Sequence, residues 1–390
     1  MGRAVDNKVF KIGLFCNEYP PRLHGGIGTF TRAFAEALAD IGHDVTVVEF
    51  GQQAKIRIQN GVRVVTLRES RAPRLIAALL NRLRLFLWLN RAAKRGEVEI
   101  FEIPEYQGYL PFPGEPCPIV VRLHHAESHI DQVMSGTSRK KKIYWLEKLT
   151  LFFHRNWIGV SQYILDASKS FFGCSPRKST VIYHPAPTIQ WENIPKPSSV
   201  PLQYILFVGS VSERKGAIIL ARAATPLLER WPNLHLIFVG PETTCEGKPI
   251  SYTIYQIVGE HLKPRVWFLG HQSRETTIAW MRSALAVALP SRVESFGIVI
   301  LEAMQLGVPV VYTRSGPGPE FIIDGVDGLL VDPEDVNEVR YALERLITDP
   351  DFARRLGEAG RAKVTKFFTM ERCIEETLLF YQTILGASKD

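Results

Sequence analysis

Short apolar runs alternate with helical segments along this chain, and the alternation stops once and then restarts. Runs such as KVFKIGLF, VTVVEF and PIVVRL have the length and β-branched content of buried strands. Segments of helical periodicity separate several of them, for example GTFTRAFAEALADIG between the first two. Alternation of this kind forms a parallel sheet with right-handed crossovers. The sequence therefore predicts an α/β fold.

The interruption is HPAPTIQWENIPKPSSVP at 184–201, which holds five prolines and has no period, as is typical of a linker. We predict two Rossmann-like, doubly wound domains that face each other across a cleft. The N-terminal domain is expected over 1–190, a linker over 191–202 and the C-terminal domain over 203–366. A last helix in 367–390 is expected to pack back toward the N-terminal domain. Ligands of such sheets bind at the carboxyl ends of the strands, so the cleft is the expected site.

Composition limits the classes of protein to consider. The five cysteines are scattered and form no CxxC pair, which favours a reduced, cytoplasmic protein. Neither a signal peptide nor an apolar run long enough to span a membrane is expected. The charge is uneven: residues 1–200 hold 27 Lys and Arg against 17 Asp and Glu, whereas residues 201–390 hold 20 against 23. A basic half and a mildly acidic half suggest two units with different partners.

The first glycine-rich loop, GGIGTF, follows a predicted strand and opens a predicted helix. The backbone at Gly25 and Gly26 could approach a phosphate, because a helix N-terminus offers unpaired N–H groups. Thr31 stands where a dinucleotide fingerprint needs its third glycine, so a nicotinamide cofactor is not expected. A tight turn without a ligand is the alternative for this loop.

The second glycine-bearing loop, VGSVSERKG at 208–216, leaves a strand and enters a helix predicted over 217–231. The adjacent Arg214 and Lys215 are expected at the start of this helix, pointing in different directions. Cations at a helix N-terminus oppose the helix macrodipole. Such an unfavourable placement is expected where a positive charge binds an anionic ligand. A solvated basic helix start is the alternative.

The stretch SRVESFGIVILEAMQLG places Glu294 after a strand and Glu302 inside an apolar helix predicted over 296–306. We expect Ser295 to cap this helix and its first-turn amides to be free for a phosphate. A carboxylate in the apolar run needs hydroxyl or cationic partners because its burial is costly. Sugar hydroxyls would serve Glu302, and the alternative is a pair with a structural arginine.

The spacing Glu294-x7-Glu302 within SFGIVILEAMQLGVPVV resembles the family 4 glycosyltransferases of the GT-B fold. FVGSVSERKG, DGVDGLLVDPED and the N-terminal GGIGTFTRAFAEALADIGHDVTVV match the layout of the same family. The resemblance covers residues 9 to about 385. It implies an enzyme of the EC 2.4 class, a hexosyltransferase that moves a sugar from a nucleotide-sugar donor to a hydroxyl acceptor with retention of anomeric configuration.

The resemblance also implies roles for residues of the donor site. Glu302 would hold the ribose hydroxyls, Glu294 would lie beside the donor sugar, and Lys215 would neutralise the leaving phosphates. Ser210 stands where the family often has an arginine, and Arg214 could compensate for it. The remaining donor contacts implied are Gly25, Gly26, Gly240, Leu269, Phe296, Gly297, Ile298 and Val299. Of these, Gly297, Ile298 and Val299 would offer amides to the diphosphate, whereas Gly240 and Leu269 would lie near the base.

His124, in PIVVRLHHAES, falls on the histidine with which this family supports positive charge on the transferring sugar, and His125 is the alternative one position away. In the front-face mechanism that the resemblance implies, the leaving phosphate accepts the proton of the incoming hydroxyl. No catalytic base, cofactor or metal site is then expected. DPED at 332–335 and DPD at 349–351 are interpreted as helix starts.

The acceptor is expected to belong to the N-terminal domain, as a glycan, a glycolipid or another small molecule. Residues 71–95 contain seven Arg and Lys, no acid and many leucines, a composition that suits a helix lying on an anionic membrane surface. The alternative is that its apolar face packs on the sheet. No nucleic-acid module is recognised. A sugar-nucleotide epimerase and a non-catalytic membrane-surface protein with the same fold remain alternative functions.

Overall fold

A computed structural model describes residues 8–21, 25–136, 141–187, 194, 197, 200–245 and 247–386. The chain divides into two compact units. The first comprises Met1–His184 and Met370–Asp390, and the second comprises Pro185–Thr369. The chain thus passes from one unit to the other ahead of the linker predicted at 191–202, most of which lies outside the described residues.

The first unit contains eight described strands and five helices before the chain enters the second. The strands are β1 (Lys11–Phe15), β2 (Asp44–Gly51), β3 (Lys55–Gln59), β4 (Val62–Arg68), β5 (Ile100–Pro104), β6 (Ile119–Leu123), β7 (Asn156–Gly159) and β8 (Lys178–Val181). The helices are α1 (Gly26–Asp40), α2 (Arg74–Lys94), α3 (Glu127–Ser135), α4 (Lys141–Phe153) and α5 (Gln162–Phe172).

These strands form one sheet in the order β3-β4-β2-β1-β5-β6-β7-β8. β5 and β6 are buried along their whole length, as expected of strands covered on both faces. The sheet is parallel except for β3, which pairs antiparallel with β4 at the edge. The sequence analysis missed β3, because Ile56 and Ile58 are exposed there and the strand has no buried apolar face.

The second unit has its own parallel sheet and a small two-stranded ribbon. Its strands are β9 (Gln203–Val208), β10 (Leu234–Val239), β11 (Thr244–Cys245), β12 (Lys248–Pro249), β13 (Val266–Phe268), β14 (Ala286–Leu289), β15 (Val310–Thr313) and β16 (Leu329–Val331). Its helices are α6 (Ala217–Arg230), α7 (Ile250–Val258), α8 (Arg274–Arg282), α9 (Ile298–Gln305), α10 (Gly318–Phe321), α11 (Val336–Thr348) and α12 (Pro350–Phe367). The sheet order is β13-β10-β9-β14-β15-β16, and β11 pairs with β12.

The last helix, α13 (Met370–Gly386), belongs to the first unit and packs beside α1. The Tyr381 hydroxyl donates to Oε2 of Glu102 at 2.6 Å, and Nε of Arg122 donates to Oε1 of the same carboxylate at 2.6 Å. This buried network ties α13 to β5 and β6. Three helices, α11 to α13, therefore close the chain.

The acidic stretches DPED and DPD begin helices, as predicted. The Asp335 carboxylate accepts from the Asn337 and Glu338 amides at the start of α11, and the Asp349 carboxylate accepts from the Phe352 amide at the start of α12. Within the described residues, no helix combines the length and the apolar content needed to cross a bilayer.

Candidate active site

Two loops of the second unit meet at the carboxyl edge of its sheet. β9 and β14 are neighbours in the sheet although about 80 residues separate them, and the crossovers leave in opposite directions from this point. Backbone contacts join the loops that follow them: the Arg292 amide donates to the Arg214 carbonyl at 2.9 Å. Gly216 has a φ of +82°, and a Cβ there would lie 2.0 Å from the Pro290 carbonyl oxygen. Such a switch point is where ligands of these folds bind.

Lys215 and Glu294 form an ion pair between these loops. Lys215 Nζ lies 2.5 Å from Glu294 Oε2, and the side chains are 19% and 8% exposed. Burial raises the pKa of the Glu294 carboxyl, but the charge and hydrogen bond of Lys215, together with the Ser295 amide at 3.1 Å, outweigh that effect and lower the pKa. Glu294 therefore stays ionised at neutral pH in a largely water-excluded place.

Arg214 and Lys215 lie ahead of the helix, and the prediction that they start it was wrong. α6 begins at Ala217 with Gly216 as its N-cap, and the preceding residues form a turn in which the Lys215 amide donates to the Ser212 carbonyl at 3.2 Å. Arg214 Nη1 contacts the Val293 carbonyl at 3.5 Å. The left-handed backbone of Gly216 ends this turn. Arg214 and Lys215 therefore lie in the loop that follows β9.

The start of α9 also differs from the prediction. The helix begins at Ile298 with Gly297 as its N-cap, so Ser295, two residues before the cap, is not the N-cap. The Ser295 amide donates to Glu294. Gly297 has a φ of +88°, and a Cβ there would lie 2.4 Å from the Tyr312 hydroxyl. No side chain in the described part of the chain caps this end. The amides of Ile298 and Val299 are therefore in the orientation that binds an anion.

Glu302 lies one turn further along α9 and pairs with Arg274 at the start of α8. Arg274 Nη2 lies 3.2 Å from Glu302 Oε1, and the side chains are 40% and 13% exposed. Burial raises the pKa of Glu302 above its usual value, and the charge of Arg274 offsets part of that rise. The sequence analysis considered an arginine partner for this glutamate but did not identify Arg274.

The loops after β9, β10 and β13 complete this edge. Gly240 has a φ of +137°, and a Cβ there would lie 2.0 Å from the Gly209 carbonyl oxygen, so these two loops are in backbone contact. The Gly240 amide donates to the Gly270 carbonyl at 2.8 Å, and the Leu269 amide donates to the Phe238 carbonyl at 2.9 Å. Ser210 lies next in the chain to Gly209. The predicted residues Ser210, Gly240 and Leu269 therefore follow neighbouring strands of one sheet.

His124 and His125 lie in the first unit, at the end of β6. Their amides both donate to the Glu105 carboxylate, at 2.7 and 2.6 Å, and His125 has a φ of +90°, which is unusual for a residue with a side chain. The His124 ring stacks on His184 with 5.2 Å between centroids. Burial and the charge of Arg122 lower the pKa of His124 to about 3, so the ring is neutral at pH 7.

Glu105 was missed by the sequence analysis. It is fully buried, and burial raises its pKa to about 8 even though the two amides favour its charged form. The sequence feature that could have indicated it is a glutamate directly after the apolar strand in EIPEY. A glutamate buried at such a position needs hydrogen-bond donors. This carboxylate holds the backbone of the strained His124–His125 turn.

The glycine loop of the first unit already contacts an anion of the protein itself. Glu18 accepts from the Gly25 amide at 3.2 Å and from the Gly28 amide at 2.8 Å. Gly26 is the first residue of α1, and no side-chain hydrogen bond of the usual N-cap kind is made there. A phosphate at Gly25 would have to replace the Glu18 carboxylate, which the sequence analysis did not foresee.

Two family models match adjacent parts of the chain. A family model for Glycosyltransferase Family 4 matches residues 24–188, and one for glycosyl transferases group 1 matches residues 190–363. An uncharacterised glycosyltransferase of Methanocaldococcus jannaschii is 28% identical over 392 residues, which is 95% of this chain and 98% of that protein.

Solved structures share the fold over nearly the whole chain. Sucrose-phosphate synthase from Thermosynechococcus elongatus gives a TM-score of 0.78 at 22% identity, covering 96% of this chain and 99% of that one. The Anabaena protein HepE in complex with UDP-glucose gives 0.70 at 21% identity, covering 94% and 98%. With family models matched on both sides of residue 189 and the fold shared throughout, the chain belongs to the family 4 glycosyltransferases and has the GT-B fold.

Proposed function

We propose that this glycosyltransferase takes its sugar, a hexose, from a nucleoside diphosphate carrier and transfers it to a hydroxyl acceptor with retention of anomeric configuration. The observation that carries the proposal is the largely buried Lys215–Glu294 pair beside the uncapped start of α9, at the switch point of the second sheet. A cation next to unpaired amides stabilises charge that develops on a leaving diphosphate. UDP-sugars are the first donors to test, because HepE was solved with UDP-glucose.

The roles proposed for the donor-site residues are those that the family resemblance implies. Lys215 and the amides of Gly297, Ile298 and Val299 bind the diphosphate, with Arg214 as an additional cation. Glu294 accepts hydrogen bonds from hydroxyls of the donor sugar, and Glu302 accepts them from the ribose. Ser210, Gly240, Leu269 and Phe296 complete the donor contacts. Gly25 and Gly26 add backbone contacts if the diphosphate displaces Glu18.

Retention without a covalent intermediate agrees with the pairing of Glu294 and Glu302 with cations. A retaining glycosidase uses one carboxylate as a nucleophile and the other as acid and base, about 5 Å apart across the bond. Here each glutamate is paired with a cation, Lys215 or Arg274, so binding is the role that its contacts support. The leaving phosphate then accepts the acceptor's proton. The positive groups are side chains and amides, and we propose that no protein-bound metal and no cofactor are required.

His124 is proposed to act in the transfer step rather than in nucleotide binding. Its neutral ring can stabilise positive charge on the sugar without adding a charge of its own, since burial keeps its pKa near 3. His125 is less suited, because its Nε2 lies 3.1 Å from His129 Nδ1. A His124→Ala variant should lower kcat and leave the dissociation constant of the nucleoside diphosphate unchanged.

The test is calorimetric titration with UDP, GDP, ADP and TDP, each with magnesium or with EDTA, followed by transfer from the matching sugar nucleotide. Binding of one diphosphate in both conditions, and an acceptor-dependent product with the donor's anomeric configuration by NMR, support the proposal. A configuration change in the product refutes retention. Sugar conversion without an acceptor supports an epimerase, and no binding of any nucleotide supports a non-catalytic protein.

We also propose that the acceptor side of this enzyme docks on an anionic membrane surface through α2. One face of α2 is exposed and apolar, at a spacing of three or four residues: Ile76, Leu79, Leu83 and Leu87, each 40–55% exposed. The opposite face, which includes Leu85 and Leu89, is buried on the unit. Residues 71–95 hold seven Arg and Lys and no acid. Arg82 is buried on backbone carbonyls, whereas exposed cations such as Arg84 and Arg91 can complement anionic headgroups.

Vesicle co-sedimentation tests this docking. We expect binding to phosphatidylglycerol vesicles at low salt, weaker binding at high salt and little binding to phosphatidylcholine. The double substitution Leu79→Glu and Leu83→Glu should abolish the binding. Ile323→Glu, at a residue 57% exposed in the second unit, is the matched control and should not change it. No binding of the unaltered protein to the anionic vesicles would favour a soluble acceptor.

A further inference from the structure

Arg274 is placed to act on Glu302. It is the first residue of α8, and its guanidinium lies 3.2 Å from one oxygen of the Glu302 carboxylate. Ser273 caps the helix, with its Oγ accepting from the Thr276 amide at 3.2 Å, so the backbone at Arg274 is fixed. Within the described residues, no second charged side chain contacts this carboxylate.

The pair contributes little to the stability of the fold. Arg274 is 40% exposed, and ion pairs of that exposure contribute little to stability. A cation in the first turn of a helix also opposes the helix macrodipole. The contact therefore has its main effect on the carboxylate, which is nearly buried and needs a partner to remain an acceptor.

The same arrangement occurs twice along one edge of the sheet. Glu294 is paired with Lys215 from the loop after β9, and Glu302 is paired with Arg274 from the start of α8, which follows β13. Both carboxylates follow β14, whereas both cations come from the other half of the sheet. Each glutamate of the Glu-x7-Glu block is thus supported by one cation that the block itself does not contain.

We infer that Arg274 is a positioning residue for ribose recognition: it holds one oxygen of Glu302 and leaves the other to accept hydrogen bonds from the ribose hydroxyls. This inference rests on the proposed role of Glu302. An ionised carboxylate accepts hydrogen bonds at both oxygens, whereas a protonated one must use one oxygen as a donor. The fixed plane of the guanidinium also sets the direction of the contact, which a flexible ammonium does less well.

The experiment compares the affinities for UDP and 2′,3′-dideoxy-UDP in four variants. The ratio of the two dissociation constants isolates the ribose hydroxyls, because the base and the diphosphate are common to both ligands. In Arg274→Gln we expect UDP to bind about tenfold more weakly and dideoxy-UDP to bind as in the unaltered protein, as for the loss of one charge-assisted hydrogen bond. Arg274→Lys should restore most of the ratio. Arg222→Gln, an exposed arginine of α6, is the control and should leave both affinities unchanged.

Glu302→Gln separates this inference from the function on which it rests. If that variant keeps the full ratio, the ribose role of Glu302 is wrong. If it loses the ratio while Arg274→Gln keeps it, the positioning role of Arg274 is wrong. Equal weakening of both ligands in Arg274→Gln would mean that Arg274 acts only as a distant charge on the diphosphate. Tighter UDP binding would mean that it competes with the ribose. Both results overturn the inference.

Discussion

Replacing Lys215 by methionine tests whether the charge of Lys215 stabilises the nearly buried Glu294 carboxylate at the switch point. Methionine keeps an apolar stem of similar length and removes the charge, so Glu294 is left nearly buried without its cation. Breaking a buried pair from one side costs about 3–5 kcal/mol. Glu294 keeps the Ser295 amide and can take up a proton, so we expect the lower end, about 3 kcal/mol at pH 8.

The cost should depend on pH, and the sign follows from the folded-state pKa of Glu294. In the unaltered protein that pKa is below its usual value, so the group contributes stability above pH 4.5 that is lost as the pH falls through the lowered pKa. In Lys215→Met, burial acts without the cation and raises the pKa. Stability of the variant should then fall as the pH rises above 4.5. The difference between the two proteins should therefore be largest near pH 8 and about 1 kcal/mol or less near pH 4.

Urea unfolding followed by tryptophan fluorescence at pH 4, 6 and 8 measures this difference. Lys248→Met, at an exposed lysine of the same unit, is the matched control and should cost under about 0.5 kcal/mol at every pH. The double variant Lys215→Met with Glu294→Gln should recover part of the loss, because the unpaired charge is gone. A cost that does not change between pH 4 and pH 8 would refute the electrostatic reasoning and assign the loss to packing.

Three further outcomes follow from the contacts described. Gly297→Ala should destabilise the second unit by about 2 kcal/mol or more, because φ at Gly297 is +88° and the added Cβ would meet the Tyr312 hydroxyl. Urea unfolding measures this loss, and wild-type stability would contradict that geometry. Tyr381→Phe should cost about 1–2 kcal/mol and speed amide exchange in α13, since the buried Glu102 loses a donor; unchanged exchange would show that the bond does not hold the helix. In the unaltered protein, stability should fall as the pH drops from 6.5 to about 3, because the unfolded state binds a proton at His124 that the buried ring does not. His124→Asn should make this fall smaller. An unchanged dependence of stability on pH would refute the lowered pKa.

Local sequence signals were sufficient wherever the structure depends on neighbours along the chain. The apolar runs gave the parallel strands, and the aspartates of DPED and DPD gave the starts of α11 and α12, because an N-cap acts on amides two or three residues away. The position of Glu294 after β14 followed from the same kind of signal. The edge strand β3 was missed, since it buries no apolar face that a pattern could reveal.

The helix start of α9 shows where local signals fail within a loop. Serine is a good N-cap, and Ser295 stands directly before an apolar run, yet Gly297 is the N-cap. The choice depends on the positive φ at Gly297 and on the Tyr312 hydroxyl from the next strand, which leaves room there only for a residue without a Cβ. The Tyr312 contact comes from a strand 15 residues further along the chain, so the residues around position 295 do not reveal it.

What the sequence determined by itself was the fold class, the glutamate block and the strand ends that carry it. What the tertiary structure decided was which groups are partners: Lys215 with Glu294, Arg274 with Glu302, Glu105 with the amides of His124 and His125. For Lys215 and Glu294 the physical reason is the crossover connection, which places β9 beside β14 although about 80 residues separate them. For Glu105 and His124 it is the pairing of β5 with β6. A buried carboxylate needs a hydrogen-bond donor, so the sequence predicts that such a partner exists. Only the order of strands in the sheet shows which residue the partner is.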